Sequence, residues 1–176
     1  TLAEEFVIPS STFKWTIVGD ARGTIIERNI AANNFRLINN QGSVLEMRNV
    51  HLRNGKLKDA ASMRGAAILN SGNLNMSYCM LNNNVITNSV RANQVHGGGA
   101  IYNSGHLQLI NVNFTQNIVS GFCSGGCRGP VNRGGAIYNK AMATMTGSNV
   151  IFDANRADNH DSVSQGGAIY TEAPMS

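Results

Sequence analysis

Gly99-Ala100-Ile101-Tyr102-Asn103 returns as Gly135-Ala136-Ile137-Tyr138-Asn139, again as Gly167-Ala168-Ile169-Tyr170, and in weaker form as Ala66-Ala67-Ile68-Leu69-Asn70. The isoleucines are spaced by 33, 36 and 32 residues, and Ile38-Asn39-Asn40 lies 30 residues before Ile68 as an earlier, degenerate copy. The similarity runs on past this anchor. Gly105-His106-Leu107-Gln108-Leu109 and Val112-Asn113-Phe114-Thr115-Gln116-Asn117 follow one copy; Gly72-Asn73-Leu74-Asn75-Met76 and Cys79 to Asn84 follow the one before. The next copy ends Val150-Ile151-Phe152-Asp153-Ala154-Asn155, and the earliest supplies Leu45-Glu46-Met47 and Val50-His51-Leu52. Each unit therefore holds three short stretches of alternating apolar residues, separated by Gly and Asn corners.

Strands this short find no partner within their own unit and must pair with the equivalent strand of the next. Stacking them about 4.8 Å apart builds three parallel sheets around one continuous core. The expected fold is all-β: a right-handed parallel β-helix of about five coils of 30–36 residues. Residues 1–37 form an opening coil and 38–176 the repeats, with the C-terminal end left open. Ile101, Leu107, Leu109, Val112 and Phe114 are expected to point inward, with Tyr102, Gln108 and Asn113 pointing out. Asn84, Asn117 and Asn155 are expected to stack as a ladder at a corner, where Asn tolerates the left-handed conformation.

Composition agrees with this frame. The 176 residues include 24 Asn and 19 Gly, only 14% are charged, and 42% are hydrophobic. That excludes helical bundles and doubly wound α/β folds, and a disordered chain as well. No apolar run is long enough for a membrane span, so direct membrane insertion is not expected. The net charge of +4 comes from dispersed arginines, which reads as a solvated basic surface and not as a nucleic-acid interface.

The GGAIYN anchor with an FxxN-type ending (Phe114 to Asn117, Phe152 to Asn155) resembles the repeats of polymorphic outer-membrane-protein passengers. It is similar also to related right-handed β-helix proteins of bacterial and algal surfaces. The resemblance covers roughly Gly65 to the C-terminus and implies an exported, surface-exposed solenoid. Upstream, Trp15 to Ile26 resembles the first coil of many such solenoids.

The segments Asn88 to Gly98, Ile118 to Gly134 and Arg156 to Gly166 vary in length and are expected to be loops on one side. One of them carries Cys123-Ser124-Gly125-Gly126-Cys127, which can close a small disulfide ring in an oxidising compartment. A free pair and a metal site are the alternatives, the latter needing two further ligands. Cys79 stands where the next coil has Val112 and reads as a buried apolar residue. Asn75-Met76-Ser77 and Asn113-Phe114-Thr115 are glycosylation sequons on outward positions, of consequence in a eukaryotic secretory pathway.

Tyr102, Tyr138 and Tyr170, with Leu69 below, are expected to form an exposed ladder, a candidate binding face for a glycan or a cell-surface protein. Outward positions elsewhere read Glu46, Asn75, Gln108 on one sheet and His51, Met80, Asn113, Ile151 on another, with no carboxylates on neighbouring rungs. The densest acidic group is Asp153, Asp158 and Asp161 with His160, a weak candidate for calcium or acid–base chemistry. No cofactor and no metal are expected.

These readings converge on a non-catalytic secreted or cell-surface structural or adhesive module, able to self-associate by end-to-end stacking into a filament. The alternative is a carbohydrate-active β-helix enzyme, lyase or hydrolase-like, whose acids come from loops.

Overall fold

The computed structural model describes residues 1–59, 63–88, 95–121, 131–159 and 163–172. Among them there is no helix, and every strand pairing is parallel. The chain is a parallel β-solenoid. Its first sheet stacks six three-residue strands, β1 (Phe6–Ile8), β4 (Ile38–Asn40), β8 (Ile68–Asn70), β12 (Ile101–Asn103), β16 (Ile137–Asn139) and β20 (Ile169–Thr171). The pairing Ile68↔Ile101↔Ile137↔Ile169 puts the repeated isoleucines in one column.

The second sheet carries the longest strands: β2 (Lys14–Val18), β3 (Thr24–Glu27), β5 (Val44–Arg48), β6 (Val50–Arg53), β9 (Asn73–Asn82), β13 (His106–Thr115) and β17 (Thr144–Asp153). A third sheet stacks β7 (Lys56–Lys58), β10 (Val85–Asn88), β14 (Ile118–Gly121) and β18 (Arg156–Asn159). A fourth stacks β11 (Val95–Gly97), β15 (Val131–Arg133) and β19 (Ser164–Gln165).

Four coils pass through the repeats, begun by β4, β8, β12 and β16, and residues 1–37 add the strands β1 to β3 beneath them. The count is thus slightly below the five expected. The fourth sheet was not expected at all. The segments expected as loops contain β11, β14, β15, β18 and β19. Their strands keep the anchor's spacing, Val95 and Val131 each standing six residues before the anchor isoleucine, but runs of two to four residues carry too little apolar alternation to mark them as strands.

Ile101, Leu107, Leu109, Val112 and Phe114 all lie inside, in a core cluster between the first and second sheets. Phe114 stacks on Phe152 with centroids 5.0 Å apart. A second, smaller cluster of Leu57, Met63, Ala66, Ile86 and Val119 lies inside the third sheet, on the side where the fourth sheet approaches it. Cys79 is buried in the first core, where burial holds its thiol pKa above the usual value.

Three corners keep left-handed residues in register. Asn49, Tyr78, Asn111 and Asn149 bend the second sheet at φ of 53–55°. Asn54, Asn83, Gln116 and Ala154 precede the third sheet. Gly65, Gly98, Gly134 and Gly166 lead into the first. At Gly98 the φ is +67° and a Cβ would stand 2.0 Å from the Ile101 carbonyl oxygen, so this corner requires glycine. The Asn ladder sits one residue beyond the second of these corners. The left-handed residues are Asn83, Gln116 and Ala154, not Asn84, Asn117 and Asn155 as the sequence reading placed them.

The ladder asparagines face inward instead. Asn84 Nδ2 donates to Asn117 Oδ1 at 2.9 Å, and Asn117 Nδ2 to Asn155 Oδ1 at 2.9 Å. A second amide column runs beside the first sheet, Asn40 to Asn70 to Asn103 to Asn139, at 2.8, 2.8 and 2.7 Å. Each amide also closes its own turn, as Asn103 Nδ2 does on the Gly105 carbonyl at 3.2 Å. Buried amides are tolerated because every donor has an acceptor.

Candidate functional site

The outer face of the second sheet is a solvent-facing surface that keeps hydrogen-bonding side chains in register. Strand alternation sends Leu74, Met76 and their equivalents into the core and the residues between them out. Parallel pairing then aligns the outward residues along the solenoid axis. One row reads Thr16, Glu46, Asn75, Gln108, Thr146; beside it runs Val18, Arg48, Ser77, Ile110, Ser148. A shallow trough of about 410 Å³ lies on the first row between Thr16 and Gln108, and adjoins a second of about 400 Å³ reaching His106, Thr144 and Thr146. Asn75 and Gln108 belong to both.

Charges on this face are sparse and separated. Lys14 Nζ pairs with Glu46 at 2.8 Å, so the one carboxylate on the trough floor is already met. The His106 ring Nδ1 is 2.6 Å from Thr144 Oγ1. Arg48 has its guanidinium 5.8 Å from the centroid of Tyr78, at the rim. The face can offer amide and hydroxyl groups at strand spacing, a guanidinium that pairs with no carboxylate among the described residues, and an aromatic ring. Those groups bind; they do not by themselves make an acid–base pair.

The tyrosine column stands elsewhere and is not an exposed strip. Tyr102 and Tyr138 are each only 4% exposed, and Tyr170 is partly covered. Their rings are in contact: Tyr138 stacks on Tyr170 at 5.3 Å, and Tyr102 meets Tyr138 tilted by 52° at 4.8 Å. The fourth sheet covers them. Arg64 lies 5.1 Å over Tyr102 and Arg133 4.5 Å over Tyr170. A Cβ on Gly97 would come within 3.0 Å of the Tyr138 ring. Glu172 accepts a short hydrogen bond from the Tyr138 hydroxyl, pairs with Arg133 at 3.0 Å and accepts from the Ala141 amide at 3.2 Å. The Tyr138 hydrogen bond and these neighbours hold the Glu172 pKa below the usual carboxylate value, while burial pushes the Tyr102 and Tyr138 hydroxyls up. The column is a covered, charge-capped seam.

Of the other candidate residues, Asn75 is partly buried on the trough floor, and Asn113 is partly buried in the outward row His51, Met80, Asn113, Ile151 of the other half of the sheet. Asp153 ends β17, whereas Asp158 lies in β18 and pairs with Arg156 at 2.5 Å. They belong to different sheets. Asp161, His160, Cys123 and Cys127 lie outside the described residues. Among the described residues no three of His, Cys, Asp and Glu gather at metal-binding range, and no helix is long and apolar enough to cross a membrane.

Arg48 and Tyr78 were missed in the sequence. A signal existed: aligned coil on coil, the residue equivalent to Tyr78 is Asn49, Asn111 or Asn149, so a tyrosine among three asparagines is the departure to notice.

Comparison with known families places a Chlamydia polymorphic membrane protein repeat on residues 149–172. The matched segment starts at the left-handed Asn149, passes Phe152 and Asn155, and includes the Gly166 corner and β20. It thus spans most of one circuit of the solenoid, and it contains the elements on which the resemblance rests. No curated protein and no solved structure matched the chain.

Proposed function

We propose that the chain is part of a surface-exposed β-solenoid that works as a non-catalytic structural and adhesive module, with the outer face of the second sheet as its adhesive side. The repeat on residues 149–172 supports a surface protein. The observation that carries the adhesive reading is the row Thr16, Glu46, Asn75, Gln108, Thr146, which keeps hydrogen-bonding side chains in register on solvent across five strands. A linear partner lying along the axis would meet one such group every 4.8 Å or so. The separation of Asp153 from Asp158 in two sheets lends a carbohydrate-active enzyme no support.

The test is direct. Labelled chain added to intact eukaryotic cells should bind saturably, and Gln108→Glu, which replaces a mid-row amide by a carboxylate without touching the core, should reduce that binding at least fivefold. Equal binding by the variant, or none by the parent chain, defeats the assignment. We also propose that these 176 residues associate end to end in solution, the exposed Phe6 and Trp15 of one copy meeting the apolar recess at Gly147 of another.

A further inference from the structure

Tyr78 is the odd member of its column. The corner that bends the second sheet holds φ near +53° in four consecutive coils, and three of the four use asparagine. Asparagine suits that backbone because its short amide relieves the left-handed conformation; a tyrosine there costs on the order of 1 kcal/mol. The asparagines also pair along the axis, Asn149 Nδ2 donating to Asn111 Oδ1 at 3.1 Å. Tyr78 offers no amide to extend that pairing. Nor does its ring repay the cost by packing, since the residue is 58% exposed. A strained, exposed aromatic that neither backbone nor core requires is a feature to explain by what it meets in solvent.

Its surroundings indicate the partner's chemistry. The Arg48 guanidinium sits 5.8 Å from the ring centroid, on the rung below, and no carboxylate of the described residues lies within ion-pair distance of it. Arg48 and Ser77 line the trough, whose floor is Glu46, Asn75 and Gln108. Glu46 is neutralised by Lys14 at 2.8 Å, so Arg48 leaves the site with a net positive charge. From Tyr78 back to Asn75 is three residues along the strand, about 10 Å. An apolar ring face, a planar cation suited to a carboxylate, and amides for hydroxyl groups form the recognition set of an acidic sugar.

We propose that Tyr78, Arg48, Asn75 and Gln108 form a subsite for a carboxylate-bearing glycan laid across the solenoid axis, along the strand from Tyr78 to Asn75 and on to Gln108 of the next rung. One sugar stacks its C–H face on Tyr78, its carboxylate takes the two-pronged Arg48 contact, and the following units lie on the Asn75 and Gln108 amides. The inference rests on the adhesive reading of this face and supplies its ligand class.

The experiment measures binding of the 176-residue chain to polygalacturonate and to the same polymer fully methyl-esterified, which keeps the backbone but loses the charge. The parent chain should prefer the free acid at least tenfold, with the preference shrinking as salt is raised. Tyr78→Asn installs the residue that the other coils use. It should melt at the same temperature as the parent or higher, yet lose at least tenfold in affinity for polygalacturonate. Arg48→Gln should bind both polymers equally and weakly. Failure of the parent to bind or to discriminate, or an unchanged affinity in Tyr78→Asn, overturns the proposal. Cell binding that persists in Tyr78→Asn and in the presence of excess polygalacturonate would overturn this ligand while leaving the adhesive face standing; loss of all cell binding by the parent would overturn the face itself.

Discussion

A buried amide is costly unless each of its hydrogens and lone pairs is met, and the two asparagine columns meet them by borrowing from the coil above. Asn103 shows the economy of the arrangement: one side chain donates to Asn139 at 2.7 Å, accepts from Asn70 at 2.8 Å and closes the turn at Gly105. His96, 1% exposed in β11, is a harder case. Burial, with the nearby Arg64 adding to it, lowers its pKa from 6.5 to about 4. The folded chain therefore holds the neutral ring while the unfolded chain takes a proton below about 6.5. Its contribution to stability is complete above that value and drains away as the pH falls toward 4, at up to about 1.4 kcal/mol per pH unit. Urea unfolding at pH 7.0, 6.0 and 5.0 should show this loss, and His96→Leu should flatten the profile over that window. A parent profile already flat there would contradict the assignment.

Strands of three or four residues have little to hold them apart from the neighbours above and below, so the corners between them decide whether they stack. Gly98 makes this concrete. Its φ of +67° and the 2.0 Å approach to the Ile101 carbonyl leave no space for a methyl group. Gly98→Ala should cost about 1–3 kcal/mol, whereas Ala143→Gly, at a buried turn residue outside any strand, should cost less; chemical denaturation of the pair checks the order. This level also shows what could be read from the chain beforehand. The GGAIYN anchor and the alternation in Leu107 to Phe114 carry the full register of the first two sheets, because inward residues at fixed spacing leave a visible period. β11, β15 and β19 leave no such alternation. Each is two or three residues long with at most one apolar residue, so a tyrosine column that alternation alone places on solvent is in fact roofed over. The trough was half visible: Glu46, Asn75 and Gln108 were recognisable as an outward row, but Arg48 and Tyr78 acquire meaning only when the bend brings them to its rim.

At the scale of the molecule, the inward columns finish differently at the two ends of these 176 residues. Phe6 and Trp15, which continue the Ile38 and Leu45 columns, are about 40% exposed, with their rings edge to face at 6.5 Å. At the other end Gly147 stands where Leu109 and Met76 stand in the coils below, leaving a recess of about 260 Å³ lined by Leu109, Met145, Val150, Phe152 and Ile169. One end thus presents aromatic knobs and the other an apolar hollow, joined by strand edges that run the same way. Contacts of this kind do not close on themselves. The weight-average sedimentation coefficient of this chain should rise with concentration, and Trp15→Glu should hold it at the monomer value. A constant coefficient for the parent up to millimolar protein would count against association.

Because each coil touches only the ones directly over and under it, with Ile68, Ile101 and Ile137 in one column, the chain measures its own tolerance to insertion and loss in whole storeys. Removing a full storey, from one isoleucine to the next, would bring like residues together and shorten the building without disturbing its walls. Removing a single residue inside a long strand such as β13 would turn apolar side chains to water along everything that follows in that strand. Length in such a lineage is therefore free to drift by duplication and excision of complete turns, while the spacing inside each turn is held almost rigidly.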